Sequence, residues 1–217
     1  MDAVTAYIPA LLHGLLVTLL YFAIGTAGSM IFALPVALGI RSSNHLIRIP
    51  AISYVEFFRN TPLLVQLFWL HFALPSVTGV NMTASQTAAL AIILVMTAYM
   101  AEVYRAGFNG VPRGQLEAAG ALGLSPRRCW QLIILPQAFQ IALPAIGNTL
   151  VSLLKATSIL SILAVPELMR ITSRISDYTA KPVIFYSLTA FLYVFMGLLL
   201  SIFIRRLERY LGRWGTR

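Results

Sequence analysis

Residues 3–40 contain no Asp, Glu, Lys or Arg, and residues 60–101 contain none either. A bilayer core of about 30 Å is crossed by about 20 apolar helical residues, so the first stretch holds one spanning helix. The second is too long for one. Pro75, Gly79 and Asn81 punctuate it, which predicts two helices with a short turn between them. A fourth apolar run follows Arg128 and passes through Lys155 towards Val165, and a fifth lies between Lys181 and Arg205. The chain is 59% hydrophobic and 11% charged, against roughly 25% charged in soluble domains. The fold class expected is all-α and polytopic. One transmembrane domain over residues 1–217 holds spans at approximately 11–40, 52–74, 85–107, 137–165 and 183–204.

The net charge of +9 could serve nucleic acid or anionic lipid, and position decides between them. With the N-terminus outside, the cytoplasmic segments hold Arg41, Arg48, Arg59, Arg105, Arg113, Arg127, Arg128, Arg205, Arg206, Arg209, Arg213 and Arg217. The outer segments hold Arg170, Arg174 and Lys181, with Glu167 and Asp177 among them. Twelve against three is the bias of the positive-inside rule. It predicts five spans with the C-terminus in the cytoplasm, lipid contact and no nucleic-acid partner. Asp2 and the long apolar run after it do not fit a cleavable signal peptide. Cys129 is the single cysteine, and His13, His45 and His71 share no ligand spacing, so no metal site is expected. Gly25, Ser29, Ala33 and Ala37 recur every fourth residue, a stripe that lets a neighbouring helix approach closely in lipid.

Between the third and fourth spans, residues 109–136 form a distinctive loop. Pro112 suits a first helical turn, residues 115–122 are helix formers, and Gly123 supplies a stop. Ser125-Pro126 then reads as a new start. Two helices joined at a glycine would make a bent, rigid cytoplasmic projection. Within it, Glu117-Ala118-Ala119, then Gly123, then Ile133-Ile134-Leu135-Pro136 resembles, in its spacing, the EAA loop of ABC import permeases. The likeness extends to Tyr54–Gln66, Ala98–Gly107 and Lys155-Ala156-Thr157-Ser158, which are similar to signatures of the polar amino acid permeases. Together these cover residues from about 50 to 170. Many relatives carry Asp or Asn where this chain has Ala156, and the missing carboxylate argues against a strictly cationic substrate.

The resemblance implies a type I ABC importer permease in the bacterial inner membrane, working by alternating access. Glu117, Ala118, Ala119 and Gly123 would form the coupling helix that docks into the ATPase. The implied partners are a second permease, identical or homologous, two ATPase subunits carrying Mg-ATP, and an extracytoplasmic substrate-binding protein. No GxxxxGK[ST] loop occurs, so ATP hydrolysis is expected on the separate subunit and no cofactor on this chain.

Polar residues within the apolar runs are the pathway candidates: Lys155, Thr157, Ser158, Glu102, Tyr99 and Gln66. A lysine near the centre of a span costs roughly 2.5–3.5 kcal/mol on insertion scales. Lys155 therefore either holds the substrate α-carboxylate, or snorkels to the surface, or pairs with Glu102. Thr157, Ser158 and Asn148 either ligate substrate or cap a broken helix. Glu102 either lines the cavity or pairs with Arg105. Gln66 and His71 suit hydrogen bonds between helices, and Glu56 with Arg59 suits a surface pair. The rival classes are an ion-coupled secondary transporter, which would show internal repeats, and a non-transporting scaffold or regulatory subunit, which leaves Lys155 and the loop unexplained. A membrane enzyme would need a nucleophile–base or metal constellation that the chain lacks.

Overall fold

The structure, a computed structural model, describes residues 5–212. Asp2, Arg213 and Arg217 lie outside the described residues. Helix α1 (Ile8–Ile40) is apolar nearly throughout and runs past Pro35 without a break. Its buried face continues the small-residue stripe of Gly25, Ser29, Ala33 and Ala37 towards the N-terminus, through Tyr21, Thr18 and Gly14. From Gly25 the stripe packs on the helix over residues 84–110, while Gly14 and Thr18 meet the segment at Leu168, whose N–H donates to Thr18 Oγ1 at 3.1 Å. A Cβ built on Gly25 would lie 2.4 Å from Ile92 Cγ2, and one on Gly28 would lie 2.7 Å from Ile93 Cγ1. Backbone contact of this kind replaces the hydrophobic drive that lipid removes.

Helices α2 (His45–Asn60) and α3 (Leu63–Thr78) occupy the region expected to hold a single helix over 52–74. They are bent by 106° at Thr61-Pro62. The cause is local. Proline disfavours α geometry in the residue before it, and Thr61 is extended at φ −108°, ψ 132°. Pro62, at φ −60° and ψ 136°, then opens α3. Gln66 spans the corner, its Nε2 donating to Phe58 O at 3.2 Å and to Thr61 O at 2.9 Å. These carbonyls would otherwise be stranded at a depth where few partners exist.

A turn at Gly79 (φ +73°) leads to α4 (Ala84–Gly110). Thr83 and Gln86 form a reciprocal capping box that starts it. Helix α4 is the buried axis of the fold, with Ala88, Ala91, Ile92, Val95, Ala98 and Ala101 enclosed by its neighbours. His71 Nδ1 and Thr87 Oγ1 join α3 to it at 3.0 Å. Helix α5 (Arg113–Ala121) follows. Helix α6 (Pro126–Leu163) then begins at Ser125-Pro126 and continues into the fourth apolar run without interruption, so the loop's second helix is the foot of that run. Gly107 lets α4 and α6 meet, since a Cβ there would lie 2.6 Å from Ala138 O.

Two π-helical turns sit in corresponding settings. One covers Trp69–Ala73 and the other Trp130–Ile134. In each, the leucine before a proline donates its N–H to the tryptophan carbonyl, Leu74 to Trp69 and Leu135 to Trp130. Pro75 and Pro136 cannot donate, and the widened turn accommodates them without breaking the helix.

Helix α7 (Leu168–Thr179) is capped by Glu167, whose carboxylate accepts from Met169 N at 2.9 Å, Arg170 N at 2.7 Å and Tyr193 Oη at 3.0 Å. Helix α8 (Pro182–Gly212) closes the bundle against α6, where a Cβ on Gly147 would lie 2.6 Å from Ile204 Cγ2. The described residues thus hold four helices long and apolar enough to cross a membrane, and five spans if α2 and α3 together count as one.

Two outcomes follow from this packing. Gly107→Val should destabilise the protein by about 1–3 kcal/mol through overpacking, read as a lower Tm in detergent. Gly114→Ala, with nothing within 4 Å of the added carbon, should not. Glu167 is fully buried in the segment between the fourth and fifth apolar runs, and burial raises its carboxyl pKa above the usual value, opposed by the bonds it accepts. A raised acid pKa means that the folded state binds the proton more tightly than the unfolded chain. Stability from this group is full below the unfolded value of about 4.3 and is lost as pH rises through the folded value. Glu167→Gln should flatten that part of the Tm–pH curve.

Candidate functional site

Three elements wall a cleft of about 590 Å³. The corner between α2 and α3 supplies Arg59, Asn60 and Thr61; α4 supplies Met96 and Tyr99; α6 supplies Asn148, Thr149, Ser152 and Ala156. The corner makes the cleft possible, because the bend brings Arg59 back towards α4. Its guanidinium stands 4.0 Å from Glu102 and 5.6 Å from the centre of the Tyr99 ring. Tyr99 in turn donates its hydroxyl to Arg59 O at 3.4 Å. Arg59 does not pair with Glu56, as its spacing suggested; Glu56 instead accepts from Asn60 Nδ2 at 2.8 Å.

Glu102 is engaged by Arg105 through a bidentate contact, with Nε donating to Oε2 at 2.8 Å and Nη2 to Oε1. Such paired bonds hold both charge and orientation. The carboxylate therefore serves two arginines beside the cleft and leaves Lys155 without it. Lys155 is exposed and, among the described residues, makes no ion pair. It does not line the cleft on this chain; its neighbour Ala156 does.

Asn148, Ser152 and Lys155 are all exposed and lie four and three residues apart on α6. Residues at that spacing share one face of a helix. A polar stripe on an otherwise apolar helix has its place against water or protein, not lipid. Thr157 and Ser158 behave differently. Thr157 is buried and donates to Leu154 O at 2.7 Å, while Ser158 donates to Lys155 O at 2.8 Å. Both hydroxyls are spent on the carbonyls where α6 tightens into a 3₁₀ turn over Thr157–Leu163. Gln66 is buried at the bend and does not reach the cleft lining.

At the opposite end, α5 stands almost free. Of its nine residues only Ala119 is buried. Glu117 and Ala118 are exposed, as are Leu116 and Leu122. A Schellman turn closes it: Gly123, at φ +68°, donates to Gly120 O at 3.0 Å, and Leu124 donates to Ala119 O at 3.1 Å. Pro112 caps the other end in an extended conformation. A short helix that is incompletely packed yet pinned at both termini keeps its shape while offering its surface.

Residues 29–214 match the family of binding-protein-dependent transport system inner membrane components. A probable amino-acid ABC transporter permease, y4tG of Sinorhizobium fredii, is 36% identical over 96% of this chain and 90% of its own length. YckA of Bacillus subtilis, described in the same words, is 35% identical over 93% of this chain and 88% of its own. The crystal structure of an amino acid ABC transporter with histidines superposes with a TM-score of 0.90 at 33% identity, covering 95% of this chain and 96% of that one. The inward-facing MetNI methionine ABC transporter shares the fold, with a TM-score of 0.81 at 19% identity over 95% of this chain and 98% of that one.

The stripe on α6 predicts its own hydration. In a Cys129→Ser background, Ser152→Cys should react with a membrane-impermeant thiol reagent at least about tenfold faster than Leu16→Cys on the outer face of α1, because only a wetted thiol ionises. Equal labelling would place the stripe in lipid.

Proposed function

Because the chain belongs to the family of binding-protein-dependent transport system inner membrane components, we propose that it is the permease subunit through which an ATP-driven importer moves a polar amino acid. The observation that carries this reading is the cleft, with the exposed stripe of Asn148, Ser152 and Lys155 beside it. One bundle of this size leaves the stripe open on one side. A second permease, identical or homologous, closes it, and the stripe then faces a central aqueous route. The relatives support the substrate class, since they include amino-acid permeases and glutamine permeases such as GlnM of Bacillus subtilis. Ala156 on the cleft wall adds an apolar surface where a carboxylate would favour a cation.

In this reading Lys155 supplies the positive charge for the α-carboxylate, with Asn148, Ser152 and Tyr99 as hydrogen-bonding neighbours. Glu102, which does not line the cleft, stays bound to its arginines and steadies the wall that Arg59 supplies. Gln66, Thr157 and Ser158 keep the bend and the 3₁₀ turn intact and act on the route only through the backbone. An external binding protein delivers the amino acid. Two separate ATPase subunits hold Mg-ATP, and their approach to one another moves α5. The Schellman turn at Gly123 and the cap at Pro112 make α5 stiff enough to pass that movement to α4 and α6. The two permeases then exchange an outward opening for an inward one.

An ion-coupled carrier remains distinguishable by one measurement. Uptake into vesicles by this chain alone, driven by an ion gradient without ATPase, would replace the importer reading.

Two variants test the assignments. Glu117→Lys combined with Gly123→Val should leave insertion intact while ATP hydrolysis no longer responds to the loaded binding protein and uptake is lost. Normal coupled uptake would reject the docking role. Lys155→Met should raise the half-saturating substrate concentration about tenfold or more, the loss expected of one charged hydrogen bond. Unchanged uptake kinetics would leave Lys155 as a surface-seeking cation.

A further inference from the structure

A second polar pocket, of about 390 Å³, is lined by the end of α1, by Arg48–Glu56 of α2 and by the last turns of α4, and shares no lining residue with the cleft. Its walls carry Arg41, Arg48, Arg105, Glu56, Glu102 and Asn109. Arg105 and Glu102 neutralise each other, while Glu56 accepts from the neutral amide of Asn60 and keeps its charge. Arg41 donates to the neutral amide of Asn109 and lies 5.6 Å from the Phe108 ring centre. Arg48 is exposed and, among the described residues, enters no ion pair. Among the described residues Arg41 and Arg48, from two elements, thus enter no ion pair, and the lining sets three arginines against two carboxylates.

The helix that carries Arg48 has a second property. Leu46, Ile49, Pro50, Ser53 and Phe57 recur at helical spacing on the face away from the bundle. Leu46 is 85% exposed, Ile49 58% and Phe57 60%. The pocket residues Arg48, Ile52 and Glu56 run along the adjoining face. A helix that shows apolar side chains outward, with charged side chains along the adjoining edge, lies at a membrane boundary. A basic pocket between spanning helices at that level is suited to a phosphorylated headgroup.

We propose that the Arg41–Arg48 pocket binds the phosphate of an anionic membrane lipid, with its acyl chains along the Leu46–Phe57 face of α2. Guanidinium forks match phosphate oxygens in geometry as well as charge. The apolar face beside the pocket distinguishes a lipid from a free anion, which would gain nothing from it. The site rests on the chain's place in the membrane and not on the substrate assigned above, so its failure and that of the transport reading are separable.

The test uses the full chain in a neutral detergent, titrated with phosphatidylglycerol or phosphatidylcholine and read by native mass spectrometry. Phosphatidylglycerol should be retained in preference, and Arg41→Gln with Arg48→Gln should weaken its retention about tenfold. Arg48→Gln alone, which removes no internal contact, should show part of that loss even if the double variant misfolds. Glu56→Gln should strengthen retention. Arg205→Gln with Arg206→Gln, which removes the same charge from the exposed end of α8, should leave it unchanged. Wild-type retention in the Arg48→Gln variant, or an equal loss on the α8 variant, would overturn the proposal. Displacement of the lipid by inorganic phosphate alone would overturn it too, by making the pocket a free-anion site.

Discussion

Inside a bilayer no water stands ready to satisfy a peptide group, and this protein is arranged around that constraint. Its helices can depart from regular geometry only where the protein itself supplies partners. The corner at Thr61-Pro62 persists because the Gln66 amide reaches two carbonyls across it. The tightening of α6 after Lys155 persists because Thr157, Ser158 and Ser161 each return a hydroxyl to a carbonyl three residues back. Both irregularities border the same cleft. The route thus occurs where the backbone is least regular and most carefully satisfied.

Close packing is the complement of that rule. With little hydrophobic force between spanning helices, contact depends on how near backbones can come. Gly25 and Gly28 set α1 on α4, Gly107 sets α4 on α6, and Gly147 sets α6 on α8. The chain of glycines runs through the bundle from its first helix to its last. Large apolar side chains are left outward on α1 and α8, where they meet lipid.

Much of this was legible in the residues. The charge-free runs predict the apolar helices, and the fourfold spacing of Gly25, Ser29, Ala33 and Ala37 predicts the buried face of α1. Gly123 announces the end of α5, and the Glu117–Pro136 pattern carried the family likeness. What escaped depends on contacts distant in sequence or on geometry that composition does not encode. Arg59 appeared to belong with Glu56, three residues away, because its approach to Tyr99 and Glu102 exists only after the chain bends. That bend was hidden because Pro62 sits where an apolar run seemed continuous. The stripe of Asn148, Ser152 and Lys155 was readable from its spacing of four and three, yet Ser152, which joins the other two, drew no notice. For Thr157 and Ser158 ligation and helix capping both stood open, because hydroxyls that bond their own helix cannot be told from free ones without coordinates.

The two π-helical turns have a consequence for how the molecule is laid out. Each holds one more residue than an α-helical turn would, and one residue corresponds to about 100° around a helix axis. Everything before Trp130 is therefore out of phase with everything after Ile134 by that angle. A helical wheel drawn continuously through α6 assigns Arg127 and Arg128 to the wrong side relative to Asn148 and Ser152. The foot of the helix and its membrane-deep half are two azimuthally offset rods sharing one backbone, as are the halves of α3 on either side of Trp69–Ala73. The offset lets the foot of the element and its cleft-lining half present different sets of side chains to their surroundings.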